Sequence, residues 1–92
     1  MDSNFADQKK IILVTGATGY VGARLVPLLA AKGYQVRAAG RSLAKLASRP
    51  FAARQGVELC AVDVLNREAL QKALAGVDSV YYLVHSMNSS NR

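Results

Sequence analysis

Three glycines at three-residue spacing, Gly16, Gly19 and Gly22, stand directly after a short apolar run, and this arrangement constrains the fold more than any other feature. The run at 10–15 is nearly all apolar and rich in β-branched residues, which is typical of a strand buried on both faces. Apolar residues then recur at helical spacing, at Val21, Leu25, Leu28 and Leu29. The sequence therefore predicts a strand, a tight turn and a helix, in that order.

Each glycine of this turn has its own physical role. Gly16 permits a tight turn, Gly19 lets a pyrophosphate approach the backbone without a Cβ in the way, and Gly22 lets the helix lie close to the strand. The free N–H groups at the helix start, with the positive end of its dipole, would hold the anion. The turn lacks the Gly-Lys-Ser/Thr of a P-loop, which excludes that class of nucleoside-triphosphate site. A glycine-rich turn without a ligand is the alternative.

The rest of the chain repeats the alternation of strand and helix. Further strands are predicted at 34–40, 57–62 and 77–84. Ser42 and Asn66 are predicted N-caps of two more helices. Pro50 is predicted to end or interrupt the first of them, followed by a loop or a frayed last turn at 51–56. Strands that alternate with helices on short connections pair in parallel, with right-handed crossovers. We expect an α/β fold of the doubly wound type, a half-sheet β-α-β-α-β-α-β with strand order 3-2-1-4.

The length of 92 residues allows one small domain, which we place at 10–86 between a flexible leader at 1–9 and a polar tail at 87–92. The one cysteine, Cys60, excludes an internal disulfide and is predicted to be a buried small hydrophobe. No apolar run reaches the length of a membrane-spanning helix, and the leader lacks the apolar stretch of a signal peptide. We expect no membrane association and a cytoplasmic location.

The charge of the chain is unevenly distributed. The formal net charge is +6, and nine of the twelve Lys and Arg residues lie between Asp7 and Glu58, where no acidic residue occurs. This half of the molecule is predicted to meet an anionic partner. Because the basic residues are scattered rather than clustered, a nucleic-acid-binding module is only the weaker alternative.

The residue type at the end of the second strand distinguishes NAD-binding sites from NADP-binding sites in doubly wound folds. An NAD site places an acidic side chain there, about 20 residues after the glycines, to accept a hydrogen bond from the ribose 2′-OH. This chain has Arg41 and Ser42 after Gly40 instead. A guanidinium binds a 2′-phosphate through paired hydrogen bonds, so NADP(H) is favoured over NAD(H). Arg37 would add positive potential or face water, and a solvated Arg41 is the alternative to a phosphate ligand.

The run Thr15-Gly-Ala-Thr-Gly-Tyr-Val-Gly22 resembles the cofactor fingerprint of the extended and atypical short-chain dehydrogenase/reductase superfamily. The run from Tyr81 to Met87 is similar to NAD(P)H-binding proteins of the nitrogen-metabolite-repressor-like branch. The resemblance implies a Rossmann-type dinucleotide fold over about residues 10–88. It also implies that Asp63 touches the adenine edge, with helix capping as the alternative. The cofactor contacts expected in total are Gly16, Thr18, Gly19, Tyr20, Val21, Gly22, Arg41, Ser42, Asp63, Val64, Leu83 and Val84.

A reductase of the superfamily usually carries a Tyr-x-x-x-Lys pair, and none of the four tyrosines has a lysine four residues later. His85 is more typical of a structural residue than of a catalytic one. We therefore expect no catalytic residue here, and a chain that binds NADP(H) as half of an oxidoreductase domain without turnover. A regulatory protein that senses NADP(H) without catalysis is the alternative.

The fourth strand would form an edge of the half-sheet. Tyr81 and Tyr82 are expected in core and interface packing, and no charge interrupts the apolar run at 80–84. An uncharged edge of this kind favours pairing with another strand. We expect self-association through this edge, or its covering by a missing C-terminal half.

Overall fold

The computed structural model describes residues 10–83, along which four strands alternate with three α-helices and a short 3₁₀-helix. The strands are β1 (Ile11–Thr15), β2 (Gln35–Gly40), β3 (Val57–Ala61) and β4 (Ser79–Tyr82). The α-helices are α1 (Tyr20–Ala31), α2 (Leu43–Ala47) and α3 (Arg67–Ala73), and the 3₁₀-helix is Pro50–Ala53. The predicted leader and tail lie outside the described residues.

The strands of this part of the chain form one parallel sheet in the order β3-β2-β1-β4, which confirms the predicted fold class and strand order. In the register of the central strand, Ile12 lies opposite Val36 of β2 and Ser79 of β4. Parallel neighbours need a crossover connection, and each crossover here carries a helix. The carboxyl ends of the strands therefore lie along one edge of the sheet, where the glycine-rich turn follows β1.

Side chains are buried on both faces of the sheet. One cluster, beneath α1, α2 and the 3₁₀-helix, contains Ile12, Val14, Ala17, Val26, Leu29, Val36, Ala38, Leu46 and Phe51. A smaller cluster, beneath α3, contains Leu13, Ala39, Val62 and Ala73. Consecutive strand residues face opposite sides, and both Leu13 and Val14 are fully buried. The unbroken apolar sequence of β1 follows from this cover on both faces.

The buried face of α1 differs in part from the predicted one. The buried residues are Gly22, Val26 and Leu29, with Leu25 partly buried. Val21 and Leu28 are 58% and 61% exposed, so the prediction was right for Leu25 and Leu29 and wrong for these two. The reason is the close contact of Gly22 with the turn, described below, which sets the rotation of the helix about its axis and brings Val26 inward.

A glycine in a left-handed conformation follows the end of α1. The helix continues through Pro27 without a break. It ends at Ala31 with Lys32 as the C-cap, and Gly33 follows with a φ of +96°, the left-handed conformation that glycine adopts readily just after a helix. The Gly33 N–H donates to the carbonyl oxygen of Ala30 at 3.0 Å, which satisfies one of the last carbonyls of the helix.

The segment after β2 is more regular than predicted. The Ser42 hydroxyl oxygen accepts a hydrogen bond from the Lys45 N–H at 3.2 Å, which confirms Ser42 as the N-cap of α2. Pro50 does end this helix, but it also begins the 3₁₀-helix where a loop or frayed turn was predicted. The cause is Phe51, which enters the larger cluster and is only 3% exposed, so packing orders the segment.

The strand β4 is shorter and more exposed than predicted. It covers Ser79–Tyr82 within the predicted span 77–84. Val80, Tyr81 and Tyr82 are 44%, 42% and 57% exposed, so the two tyrosines are not core residues of the described part. Within residues 10–83, β4 pairs with β1 alone, and its other edge is open.

Candidate functional site

The turn after β1 is held in a fixed conformation by backbone hydrogen bonds. Gly16 has a φ of +66°, a left-handed conformation that side chains with a Cβ rarely adopt. The Gly19 N–H donates to the Gly16 carbonyl oxygen at 3.0 Å and closes the turn on itself. The Ala17 N–H donates to the carbonyl oxygen of Ala39 at 3.0 Å and ties the turn to β2. The turn is therefore held rigidly at the carboxyl edge of the sheet.

Two of the glycines are required by close packing of backbone on backbone. A Cβ on Gly16 would collide with the carbonyl oxygen of Leu83, just after β4. A Cβ on Gly22 would collide with the Gly16 carbonyl oxygen and lie 2.7 Å from the Cα of Ala17. Neither neighbour is a flexible side chain that could move aside. The spacing of the glycines thus brings the start of α1 against the turn.

The third glycine stands at the start of α1 and presents no side chain there. Gly19 is the N-cap of the helix, and a Cβ there would meet only the Gly16 carbonyl oxygen, at 3.3 Å. No side chain of residues 10–83 caps α1, and no acidic residue stands in its first turn. The N–H groups of the first turn, at 20–22, therefore have no acceptor within the helix and lie at its positive end. Such an end is suited to hold an anion such as a phosphate.

The first residue of α1, Tyr20, forms a cation–π pair beside the turn. Tyr20 is 77% exposed, and the guanidinium carbon of Arg24 lies 4.9 Å from the centre of its ring. This distance is that of a cation–π contact. Val21, another predicted contact residue, is exposed on the same turn of the helix. Its side chain is apolar, so its backbone N–H is the group that could contact a phosphate.

The end of β2 carries an exposed cation and no acidic residue. Arg41 follows Gly40 directly and is exposed. The Ser42 hydroxyl oxygen is used as the cap of α2, which leaves its O–H group able to donate to a ligand. A Cβ on Gly40 would lie 3.7 Å from Thr18 Cγ2, so the end of β2 lies against the glycine-rich turn. The two predicted parts of the site are therefore neighbours.

Two further cations of this edge were missed in the sequence analysis. Lys45 is exposed in α2, four residues after Arg41. Arg49 donates from Nη2 to the Thr18 carbonyl oxygen at 2.9 Å. The recurrence of a basic residue every four positions, at Arg41, Lys45 and Arg49, was the signal that could have drawn attention to this segment. The carbonyl oxygen of Thr18 thus holds the Arg49 guanidinium against the turn.

Arg37 has a structural role that differs from both interpretations of its sequence position. Its side chain is only 15% exposed, and its Nη1 donates to the carbonyl oxygens of Ala73 and Ala75 at 2.6 and 3.0 Å. Its Nε also donates to Glu58 at 3.2 Å. The guanidinium therefore closes the C-terminal end of α3. It neither faces water nor lies at the glycine-rich turn, because strand alternation directs it toward the α3 face.

The loop after β3 places Asp63 and Val64 on the same edge of the sheet. Asp63 Oδ1 accepts a hydrogen bond from the Leu65 N–H at 2.9 Å, in a local turn. The N-cap of α3 is Asn66, whose Oδ1 accepts from the Ala69 N–H at 3.0 Å, as predicted. Asp63 is exposed and does not cap the helix, whereas Val64 is half-buried. One carboxylate oxygen of Asp63 thus remains available to a ligand.

The end of β4 is bound to the end of β1 by one hydroxyl. Thr15 is 1% exposed, and its Oγ1 accepts from the Leu83 N–H at 2.9 Å and donates to the Tyr81 carbonyl oxygen at 3.4 Å. Leu83, a predicted contact residue, is therefore held beside Gly16. Val84 and His85 lie outside the described residues.

Cys60 is less buried than predicted. The thiol is free and half-buried rather than fully buried, and it packs against the smaller cluster. Desolvation by burial, opposed by the nearby Arg37 charge and reinforced by Glu58, raises the pKa of the Cys60 thiol. A thiol with a raised pKa is a poor nucleophile near neutral pH. This side chain therefore adds no reactive group to the described residues.

Residues 10–83 contain neither a metal-binding cluster nor a helix that could span a membrane. No group of three or more His, Cys, Asp or Glu residues in this span is arranged to hold a metal ion. The helices of the same span are all too short or too polar to cross a membrane. The location of the protein in the cell stays a prediction.

Comparison with known proteins places this turn and sheet in a family. The model of the NmrA-like family matches residues 8–91. Cinnamoyl-CoA reductase 1 of Oryza sativa subsp. japonica is 29% identical over 99 aligned residues, which cover 97% of this chain and 29% of the reductase. Sterol demethylase protein B of Methylococcus capsulatus is 41% identical over 70 residues, which cover 76% of this chain and 20% of that protein. The chain thus spans less than a third of the length of these relatives.

Solved structures share the fold. An oxidoreductase of the short-chain dehydrogenase/reductase family from Burkholderia thailandensis aligns with a TM-score of 0.70 and 33% identity, over 79% of this chain and 30% of its own. A short-chain dehydrogenase/reductase superfamily protein from Agrobacterium tumefaciens, solved with bound NAD, aligns with a TM-score of 0.63 and 32% identity, over 84% and 21%. The turn, the parallel sheet and these comparisons together show that the chain belongs to the NmrA-like family, as a Rossmann-type nucleotide-binding module.

Proposed function

We propose that this chain binds NADP(H) as the adenine-side half of an oxidoreductase domain and does not turn over a substrate by itself. The observation that carries the proposal is the turn at 16–19, where Gly19 presents no side chain at the uncapped start of α1. A diphosphate fits this place because main-chain N–H groups face it and no Cβ or acidic side chain opposes it.

The remaining contacts follow from the positions of the strand ends. Gly16, Gly19 and the N–H groups at 20–22 would hold the diphosphate, with Thr18 shaping the turn. Arg41 and Ser42 would hold the 2′-phosphate at the end of β2. Asp63 and Val64 would face the adenine, and Leu83 and Val84 would lie along the ribose on the nicotinamide side.

The preference for NADP(H) over NAD(H) rests on charge at the end of β2. An acidic residue there would accept from the 2′-OH of NAD(H) and repel a 2′-phosphate. Here Arg41 and Ser42 follow the strand, and no acidic residue occurs between Asp7 and Glu58. A guanidinium and a hydroxyl both donate hydrogen bonds, as a dianionic phosphate requires.

The chemistry of the whole protein is a broader proposal. A bound nicotinamide cofactor supplies hydride transfer, and the chain's own residues bind and orient it. Several relatives are named as reductases or dehydrogenases, which supports oxidoreductase chemistry for a longer chain. None of the four tyrosines here has a lysine four residues later, so this chain is proposed to bind without catalysis.

A protein that senses NADP(H) is the second candidate, and the same missing Tyr-x-x-x-Lys pair favours it. Both candidates use one binding site, so binding alone does not separate them. Hydride transfer from NADPH to an aldehyde or ketone, measured with the longer protein, would favour the oxidoreductase. NADP(H)-dependent binding to a partner protein without turnover would favour the sensor.

We also propose that the open edge of β4 pairs with further chain, either a second copy or the remainder of a longer protein. The support is the exposed, uncharged strand itself, at Val80, Tyr81 and Tyr82. Sedimentation velocity at tens of micromolar should show a dimer of the 92-residue chain, as expected for micromolar association. A monomer throughout would contradict self-association and leave the remainder of a longer chain as the occupant.

Thermal unfolding with NADP⁺, with NAD⁺ and without ligand tests the main proposal. NADP⁺ at 100 times its Kd should add about 2.7 kcal/mol to the free energy of unfolding. For a domain of this size, such a gain raises the Tm by roughly 10–20 °C. Arg41→Gln should remove the advantage of NADP⁺ over NAD⁺. The control is Lys32→Gln, which removes an exposed cation just after α1 and should change neither.

Three results would contradict the proposal in different ways. A chain that binds neither cofactor refutes the site. Equal affinity for NADP⁺ and NAD⁺ refutes the preference. A preference that survives Arg41→Gln refutes the role of that residue.

A further inference from the structure

Arg49 reaches from the start of the 3₁₀-helix to the glycine-rich turn. It is the N-cap residue of that helix, is half-buried, and donates from Nη2 to the Thr18 carbonyl oxygen at 2.9 Å. The two residues are 31 positions apart in sequence, so this contact depends on the tertiary fold. The contacts proposed above do not include Arg49.

The contact places the Arg49 guanidinium near the end of β2. Thr18 lies against that end, because a Cβ on Gly40 would be 3.7 Å from Thr18 Cγ2 and 3.5 Å from Leu46 Cδ2. Arg49 therefore approaches the turn on the side where β2 and α2 meet. In this fold, the end of the second strand lies beside the 2′ position of the adenosine ribose.

The hydrogen bonding of this guanidinium is incomplete. Arg49 Nε is buried and has no acceptor among residues 10–83. Within the same residues, Glu58 is the one carboxylate in an ion pair, and it pairs with Arg37. Burying a cationic donor without an acceptor is costly, and such a donor requires an explanation. An anionic oxygen delivered by a ligand would supply the missing acceptor after a small rotation of the side chain.

We infer that Arg49 is a second specificity-determining residue for the 2′-phosphate of NADP(H), acting with Arg41. This inference rests on the proposed function and extends it to a residue eight positions further along the chain. Arg41 is exposed, whereas Arg49 is already held by the Thr18 carbonyl group. The held guanidinium loses less conformational freedom when it binds, and its planar fork matches a phosphate.

The test measures the affinities of the 92-residue chain for NADP⁺ and NAD⁺ by calorimetry. Arg49→Gln retains an amide donor for the Thr18 carbonyl oxygen but removes the charge. We expect it to weaken NADP⁺ binding about tenfold, which corresponds to about 1.4 kcal/mol. NAD⁺ binding should change by less than about twofold, because NAD⁺ lacks the phosphate that makes the charge-assisted bond. Arg49→Lys retains the charge without the fork and should lose less.

A second readout does not depend on the folding of Arg49→Gln. The ³¹P resonance of the 2′-phosphate of bound NADP⁺ should shift between the wild-type chain and Arg49→Lys, while the diphosphate resonances stay in place. The control is Arg54→Gln, at an exposed arginine just after the 3₁₀-helix, which should alter neither affinity nor resonance.

Each other outcome overturns the inference. Equal losses for NADP⁺ and NAD⁺ would assign Arg49 to the turn alone. Unchanged affinities, or an unchanged 2′-phosphate resonance, would show that it does not meet the phosphate. If the wild-type chain itself binds both cofactors equally and Arg41→Gln changes nothing, the proposed preference has failed and this inference fails with it. A loss with Arg41→Gln but not with Arg49→Gln overturns only the role of Arg49.

Discussion

Substituting Gly19 by alanine should separate cofactor binding from folding. The backbone of Gly19, with φ −77° and ψ 176°, is one that alanine adopts freely. The added Cβ would meet only the Gly16 carbonyl oxygen, at 3.3 Å, and requires that oxygen to move by a few tenths of an ångström. The poorer N-cap costs about 0.5–1 kcal/mol, and the stiffer unfolded chain returns about 0.4–1 kcal/mol. The free energy of unfolding should therefore change by less than about 0.5 kcal/mol.

The same methyl group would stand where the diphosphate is proposed to meet the start of α1. A phosphate displaced by it loses hydrogen bonds from main-chain N–H groups, each worth about 1.5–3 kcal/mol when the acceptor is charged. Loss of one such bond weakens binding at least about tenfold. Gly19→Ala should therefore bind NADP⁺ at least about tenfold more weakly by calorimetry, with a Tm within about 4 °C of the wild-type value.

Gly33→Ala is the matched control, because it should give the opposite pair of results. A Cβ there meets no atom within 4 Å, but the φ of +96° is unfavourable for alanine. Folding should lose about 1–2 kcal/mol while NADP⁺ binding stays unchanged, since the residue lies at the far end of α1. The reasoning is refuted if Gly19→Ala binds NADP⁺ as tightly as the wild-type chain. It is equally refuted if the two variants lose binding in proportion to their loss of stability.

Three further predictions concern the packing around the site. Gly22→Ala should lower the free energy of unfolding by about 1–2 kcal/mol in urea titrations. The overlap of the new Cβ with the backbone of Gly16 outweighs the gain of about 1 kcal/mol in helix propensity. An increase in stability would contradict the close approach of the helix to the turn. Arg37→Met should cost about 2–3 kcal/mol by removing the donors to two α3 carbonyls, and should leave the NADP⁺/NAD⁺ affinity ratio unchanged. Because burial raises the pKa of the Cys60 thiol, the folded chain keeps this proton to higher pH than the unfolded chain. Stability should therefore fall as pH rises through the ordinary thiol range, and an alkaline series of urea midpoints should show a smaller fall for Cys60→Ala.

The fold was predictable because its determinants are local. The change from an apolar run to glycines and then to helical spacing lies within about one strand and one helix, and Ser42 and Asn66 mark helix starts through bonds three residues away. Short connections then leave few arrangements of parallel strands. The order 3-2-1-4 was then expected because it is the order of the doubly wound fold to which such a glycine-rich turn belongs.

The parts that were missed depend on contacts distant in sequence. Nothing near Arg37 indicates that two carbonyls at the end of α3 lie above it, 36 and 38 residues away. The rotation of α1 likewise depends on how Gly22 meets the turn, so Val21 and Leu28 satisfied the helical period and still faced outward. Periodicity identifies a helix and its approximate face, whereas packing at one residue decides the face that is buried.

The site joins the buried strand β1 to the exposed strand β4. Gly16 follows β1, whose residues Leu13 and Val14 are fully buried, yet its backbone lies directly against the carbonyl group of Leu83 after the exposed strand β4. Thr15 strengthens this junction through its bond from the Leu83 N–H at 2.9 Å. Because a Cβ at Gly16 and any displacement of β4 would disturb the same contact, the shape of the turn depends on the attachment of β4. The covering of that strand's open edge and the binding of an anion at the turn therefore act on one structural unit, and each favours the arrangement that the other requires.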